Sequence, residues 1–324
     1  MIGSENLQIS GKNLIGCIKK KQQKMKVLCV VLLALIVLAQ SFEYSGKTFS
    51  KEDQVSALKF WTSDMMKKAT PMENLIANKA LKNFKIKEDA VSKVQPDTDY
   101  VAPDSKYQEK PYKRAGKVFF LYGGRPASCS GSSSGNNVVL TAAHCIFLEG
   151  NFHEKWVFVP QYNKGSKPAG TWSAKEFMMF EEWKDQNMGR DVAFVITSKQ
   201  NGKSLQDVVG RIQIGSCDVN GDFLSLGYPG PDWGAERMVQ TVGKIARRFP
   251  FSPWTPAPIG IRSKQGPGSS GGPWITTGTD KKTGKTFKVA CSVNSFLLRW
   301  TYYVFGPFFD QAVLDMHKLA VARE

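Results

Sequence analysis

The sequence predicts an all-β fold, a sandwich or a barrel, for roughly the last two-thirds of the chain. Two observations carry this. From residue 111 onward, short runs rich in β-branched and aromatic residues recur at 117–122, 138–141, 156–160, 192–197, 223–226, 239–245, 274–277, 287–294 and 302–305. Clusters of Gly, Pro, Asn and Ser punctuate them, as turns between short strands require. The last stretch, 310–322, changes period: Val313, Leu314 and Leu319 stand at helical spacing, which predicts a terminal helix. No internal repeat interrupts the series.

The residues before this region read differently. Lys19-Lys20-Lys21, Lys24 and Lys26 precede an apolar run at 27–39, and Ala39-Gln40-Ser41 offers small residues for cleavage. This pattern is that of a signal peptide within a 1–41 leader, with Met25 as a possible true start. The run falls short of the ~18 or more residues that suggest a spanning helix, so no stable membrane span is expected, an anchor being the alternative. Residues 42–105 read as a helical pro-segment and linker, with a small accessory domain as the alternative. Val55, Leu58, Trp61 and Met65 recur at three- to four-residue spacing, Pro71 interrupts, and Leu75, Ile76, Leu81 and Phe84 suggest a second short helix. Residues 95–109 are polar and Pro-bearing, as linkers are.

The formal charge is +16, and it is spread: 28 basic and 17 acidic residues lie from Lys106 onward. Such an excess suits anionic surfaces, but no Arg/aromatic stripe or nucleic-acid module accompanies it, so no nucleic-acid partner is expected. Of six cysteines, Cys17 and Cys29 fall in the leader, leaving Cys129, Cys145, Cys217 and Cys291. An even number fits an oxidising compartment and secretion. None has the close Cys/His spacing of a zinc site, so neither metal nor cofactor is expected.

The chemistry concentrates in three places. Thr141-Ala142-Ala143-His144-Cys145 closes the apolar run Val138-Val139-Leu140; Asp191 opens the apolar run Val192-Ala193-Phe194; and Gly268-Ser269-Ser270-Gly271-Gly272-Pro273 follows far downstream. A serine hydroxyl needs an adjacent base to take its proton as it attacks, and imidazole suits that role near neutral pH. Of three histidines, His153 reads as a loop residue and His317 lies in the terminal helix, which leaves His144. Asp191 suits the carboxylate that orients the imidazole, with Asp185 as its nearest rival. The order His, Asp, Ser is one of the chain orders in which hydrolytic triads occur; an α/β-hydrolase esterase would order them Ser, Asp, His.

These motifs resemble the trypsin/chymotrypsin-type serine peptidase family. The resemblance covers about 111 to the end and implies two packed six-stranded antiparallel barrels with a C-terminal helix. The peptidase domain would span 106–324, with barrel one at about 106–205, barrel two at about 206–310 and the helix at 310–322. It implies a secreted, monomeric endopeptidase acting on peptide or protein substrates. Ser270 becomes the nucleophile, since it precedes Gly271-Gly272, with Gly268 and Ser270 amides as the oxyanion hole. Cys129 and Cys145 are placed like the family's bridge around the histidine loop, worth about 3 kcal/mol in the chain-entropy model; pairing Cys217 with Cys291 is the economical remainder. The alternative reading is a catalytically silent relative that holds anionic polymers on a basic surface.

Two features depart from the family pattern. Ser269 stands where zymogen-activated members carry an aspartate, and no Ile-Val-Gly-Gly start appears, so activation by an inserted amino terminus is not expected. The stretch from Pro111-Tyr112-Lys113-Arg114 to Phe120 is closer to the start of the glutamyl-endopeptidase-like microbial and protist branch, with a mature terminus between about 94 and 110. Lys264, six residues before Ser270, occupies the count of the trypsin pocket aspartate, with Gln265 next. Val293, Asn294, Ser295 and Phe296 occupy the later pocket strand, without the histidine typical of glutamyl endopeptidases. Cleavage after Lys or Arg is therefore expected to be disfavoured.

Overall fold

A capping serine sets the first helix of the amino-terminal segment. The computed structural model describes residues 42–75, 99–217, 221–230, 236–249, 252–279, 283–284, 286–298 and 302–324. The leader at 1–41 lies outside them, with Met25 and its cleavage positions, as do Ile76, Leu81 and Phe84 of the second expected helix. Strand β1 (Tyr44–Thr48) leads into helix α1 (Lys51–Phe60), where Ser50 and Asp53 cap each other reciprocally and satisfy two orphan amides. Helix α2 (Ser63–Lys68), strand β2 (Thr70–Pro71) and helix α3 (Met72–Leu75) follow.

The helical texture of this segment was legible, but not its buried face. Val55 and Leu58 are 49% and 39% exposed, whereas Ala57, Trp61 and Met66 are buried. The reason is tertiary: the segment lies against the strands of the first barrel, which take Trp61 as its spacing predicts but otherwise Ala57 and Met66, beside the expected positions. Met66 and Met72 are fully enclosed, and burial of side chains this size contributes about 1.5–3 kcal/mol each.

Strand β3 (Asp99–Val101) belongs to the second barrel. The first barrel follows as β4 (Ala115–Tyr122), β5 (Arg125–Gly135), β6 (Val138–Thr141), a small hairpin of β7 (Phe147–Leu148) and β8 (Asn151–Phe152), β9 (Glu154–Pro160), β10 (Trp172–Phe180) and β11 (Ala193–Thr197). The order β10-β11-β6-β5-β4-β9 closes because β9 pairs back onto β10, giving a six-stranded ring. β1 adds an outer antiparallel strand to β10, and β2 pairs in parallel with β5. β5 escapes a reading by β-propensity, being Arg-Pro-Ala-Ser-Cys-Ser-Gly-Ser-Ser-Ser-Gly. It is nevertheless central and buried, between β4 and β6. Its small side chains are what the crowding permits: a Cβ on Gly131 would meet the Leu140 carbonyl at 3.0 Å.

After helix α4 (Leu205–Val209), the second barrel comprises β12 (Gln213–Ile214), β13 (Asp222–Gly227), β14 (Val239–Arg248), β15 (Ile259–Arg262), β16 (Pro273–Thr279), β17 (Thr286–Val293), β18 (Phe296–Leu298) and β19 (Tyr303–Gly306). The order is β12-β17-β16-β13-β14-β15-β19-β18, with β3 beside β14. Phe223, Ile259, Ile261, Trp274 and Val304 fill its interior, and Phe249, Phe296, Tyr303 and Phe305 make a second aromatic cluster. The predicted strands of both barrels are present, each within about two residues of its expected bounds apart from extensions. Helix α5 (Gln311–Ala322) ends the chain and buries Val313, Met316 and Ala320. Its cap, Asp310, also pairs with Arg190 at 2.9 Å, tying the helix to the turn that carries Asp191. Two disulfides, Cys129–Cys145 and Cys217–Cys291, join the expected partners.

Candidate active site

His144 sits in a single 3₁₀ turn (Ala143–Cys145) at the end of β6, and the bridge from Cys145 to Cys129 fastens that turn to β5. Asp191 follows another 3₁₀ turn (Met188–Arg190) just before β11 and is fully buried. β11 pairs with β6, which brings the two residues together. One Asp191 oxygen accepts the His144 backbone N–H at 2.9 Å, and the other accepts Nδ1–H at 2.8 Å. Ser295 Oγ also donates to Asp191. This fixes the imidazole tautomer with Nε2 facing the cleft. Asp185, the sequence-level rival, is exposed.

The electrostatics follow from that contact. Burial alone would raise the Asp191 pKa, but His144 and the Ser295 hydroxyl hold it below the ordinary carboxylate value. Burial alone would likewise lower the His144 pKa. Asp191, and a second carboxylate from Glu73, overcome that and raise it to about 10. His153 is a finding the sequence did not supply. Expected in a loop, it is 2% exposed, stacks on Phe120 at 4.5 Å between ring centroids, and donates from Nε2 to the His144 carbonyl at 2.9 Å. Burial pulls its pKa down to about 4.

Ser270 lies on a turn whose glycines are demanded by geometry. Gly268 has φ +94° and a Cβ there would meet the Tyr228 carbonyl at 2.6 Å; Gly271 has φ +81° and would meet Thr141 Oγ1 at 2.2 Å. Side chains other than hydrogen fit neither position. Ser130, in β5, braces the turn from the other barrel. Its hydroxyl donates to the Gly268 carbonyl at 2.9 Å and accepts the Tyr228 N–H at 2.8 Å, while its amide donates to the Ser270 carbonyl at 2.7 Å. Ser269 turns away and donates to the Gly266 carbonyl at 2.8 Å.

Ser270 Oγ does not donate to His144 here; it donates to a Glu73 oxygen. The other Glu73 oxygen accepts the Gly268 N–H at 2.8 Å. Among the described residues His144 Nε2 has no hydrogen-bond partner, and it lies 3.8 Å from Glu73. Glu73 carried no signal in the sequence, since one carboxylate among charged helical residues looks like a solvated one.

The expected specificity pocket divides. Lys264 is exposed, its ammonium 5.7 Å from the Tyr302 ring centroid, and does not turn inward. Its backbone N–H donates at 2.6 Å to Asp99, from a stretch that read as linker. The like-charge argument against cleavage after Lys or Arg therefore has no geometry behind it. Gln265 is the buried member. Its amide donates to Thr241 at 2.9 Å and accepts from Asn294 at 3.2 Å. Asn294 also accepts from Trp274 at 2.6 Å, and Val293 is buried. Phe296 stacks on Phe305, and Ser295 reaches Asp191 instead of lining a pocket alone. Near His144, the sulfurs of Cys129 and Cys145 could have suggested a metal group, but the disulfide consumes both.

A Gly-Ser-Ser-Gly-Gly turn beside a buried His–Asp pair, set between two β-barrels, points to one class: serine-type peptidases. The trypsin family model matches residues 106–296, and the chain belongs to that family. Among solved structures, the protease Anisep from Arthrobacter nicotinovorans is similar at 31% identity and TM-score 0.58, covering 66% of this chain and 98% of that one. The thermostable serine protease AL20 from an extremophilic microorganism is similar at 26% identity and TM-score 0.58, covering 68% and 100%. A Glu endopeptidase shares the fold at 18% identity and TM-score 0.56, covering 71% and 99%. Comparison with curated protein sequences gave no match.

Proposed function

We propose that the protein is a secreted serine endopeptidase in which Ser270 is the nucleophile, His144 the general base and acid, and Asp191 the orienting carboxylate. The observation that supports this most is Asp191 gripping both the backbone N–H and Nδ1–H of His144, while Nε2 and the Ser270 hydroxyl lie beside the same Glu73 oxygen. Ser270 Oγ attacks the peptide carbonyl carbon as Nε2 takes its proton. The C–O π electrons move onto oxygen, where the Gly268 and Ser270 N–H groups receive the charge. Collapse re-forms the carbonyl and breaks the C–N bond, and the imidazolium gives its proton to the leaving amine. Water, deprotonated by the same imidazole, then attacks the acyl-enzyme and frees the acid. Secretion is supported by the two disulfides.

The test is peptide hydrolysis by protein freed of its amino-terminal segment. Ser270→Ala should lower kcat on the order of 10⁶-fold, the scale seen when a triad nucleophile is lost; Ser269→Ala should leave most activity. Loss with Ser269→Ala and retention with Ser270→Ala would move the assignment by one residue. Activity in neither the parent nor the variants would favour a silent, anion-holding relative.

A further inference from the structure

We propose that the segment from Glu43 to Leu75 is a built-in inhibitor whose Glu73 carboxylate occupies the oxyanion site and keeps the peptidase latent while the segment remains attached. The inference rests on the reading of Ser270 as nucleophile and goes beyond it to the regulation of that site. One Glu73 oxygen takes the Gly268 N–H at 2.8 Å, and the other takes the Ser270 hydroxyl. One of the two amides that would face a developing negative oxygen, that of Gly268, is thus met by a permanent anion. What faces Ser270 is a side-chain carboxylate and not an amide, so no bond there is open to cleavage. The segment blocks the site without being a substrate at that point.

The carboxylate also separates the reacting groups. With Ser270 Oγ committed to Glu73, His144 Nε2 has no hydrogen-bond partner among the described residues, and a Glu73 oxygen stands 3.8 Å away. The two carboxylates flanking the imidazole favour its protonated form, which cannot accept the serine proton. Covered in this way, His144 and Ser270 are 6% and 3% exposed.

Four anchors place the carboxylate there. β1 extends the sheet at β10, and Phe49 stands edge-on to Phe177 at 4.7 Å. Trp61 is buried and donates from Nε1 to the Lys155 carbonyl at 2.5 Å. Met66 and Met72 are enclosed, and β2 pairs with β5 at Thr70↔Ala127 and Pro71↔Ser128. The Pro71 ring stands against Gly230 and Gly268, two residues before Glu73. Covalent attachment makes this an intramolecular contact, with an effective concentration that substrate in solution must exceed. The family model begins at residue 106, so the segment lies outside the family match.

The experiment uses the full chain with a site-specific protease sequence replacing residues 86–91, and reads the rate of labelling by a fluorophosphonate probe. Intact wild type should label slowly. Intact Glu73→Gln and Glu73→Ala should label at least tenfold faster, with the glutamine variant guarding against a folding defect. After cutting and separation of the segment, all three should label at one fast rate. A synthetic peptide of residues 43–75 added back should restore slow labelling, and its Glu73→Ala form should do so at least tenfold less well. Intact wild type that labels as fast as the separated enzyme would overturn the latch and leave the triad standing. Intact Glu73 variants as slow as wild type, beside a fast separated enzyme, would overturn the carboxylate's role. Absence of labelling in every form would instead strike the triad reading.

Discussion

Three histidines in one chain take three fates, and burial with its partners decides each. His144 is raised to about 10 by its carboxylates, whereas His153 and His317 are pushed down to about 4, first by burial. The ordinary value is 6.5. For the two depressed groups, the unfolded chain takes up protons at 6.5 that the folded chain refuses until about 4. Their contribution to stability is therefore complete above pH 6.5 and disappears as pH falls toward 4. His144 acts oppositely: its contribution is complete below 6.5 and is lost as pH rises through about 10. Chemical denaturation across pH 4–6.5 should show falling stability, roughly up to 3 kcal/mol per depressed histidine. The slope should flatten in His153→Gln with His317→Gln; an unchanged slope would assign the acid sensitivity to other groups. Sequence reasoning isolated His144 through its motif. It missed the support given by His153, because a histidine among Asn, Phe and Glu looks solvated until Phe120 covers it.

At the level of elements, the two disulfides make a natural comparison. Cys129–Cys145 closes 16 residues and Cys217–Cys291 closes 74. Chain entropy assigns about 3 kcal/mol to the first and about 4 kcal/mol to the second. Function should rank them the other way, since only the first holds the turn of His144. Paired Cys→Ala variants should thus separate: the 217/291 pair should lose more in thermal unfolding, and the 129/145 pair more in kcat. Equal losses of activity would show that the tether does not position the base. Strands rich in β-branched and aromatic residues, such as β6 and β11, were legible because local preference and burial agree there. β5 was not, since serine and glycine fill it for reasons of space set by its neighbours. The backbone contact at Lys264 was equally invisible, because Asp99, which accepts from its amide, is 165 residues away in the sequence.

On the scale of the molecule, the two barrels bring the groups proposed to react from opposite sides: His144 and Asp191 from the first, and the Ser270 turn from the second, braced by Ser130. The order of motifs along the chain disclosed this arrangement, but no pattern disclosed that residues 43–75 would lie over the assembled site. The central claim is that Ser270 is the nucleophile served by His144. Its most direct measurement is mass spectrometry of the fluorophosphonate adduct on protein separated from the segment. The adduct should sit on Ser270 alone and should vanish in His144→Ala. An adduct on Ser269, or one that forms undiminished without His144, would contradict the account.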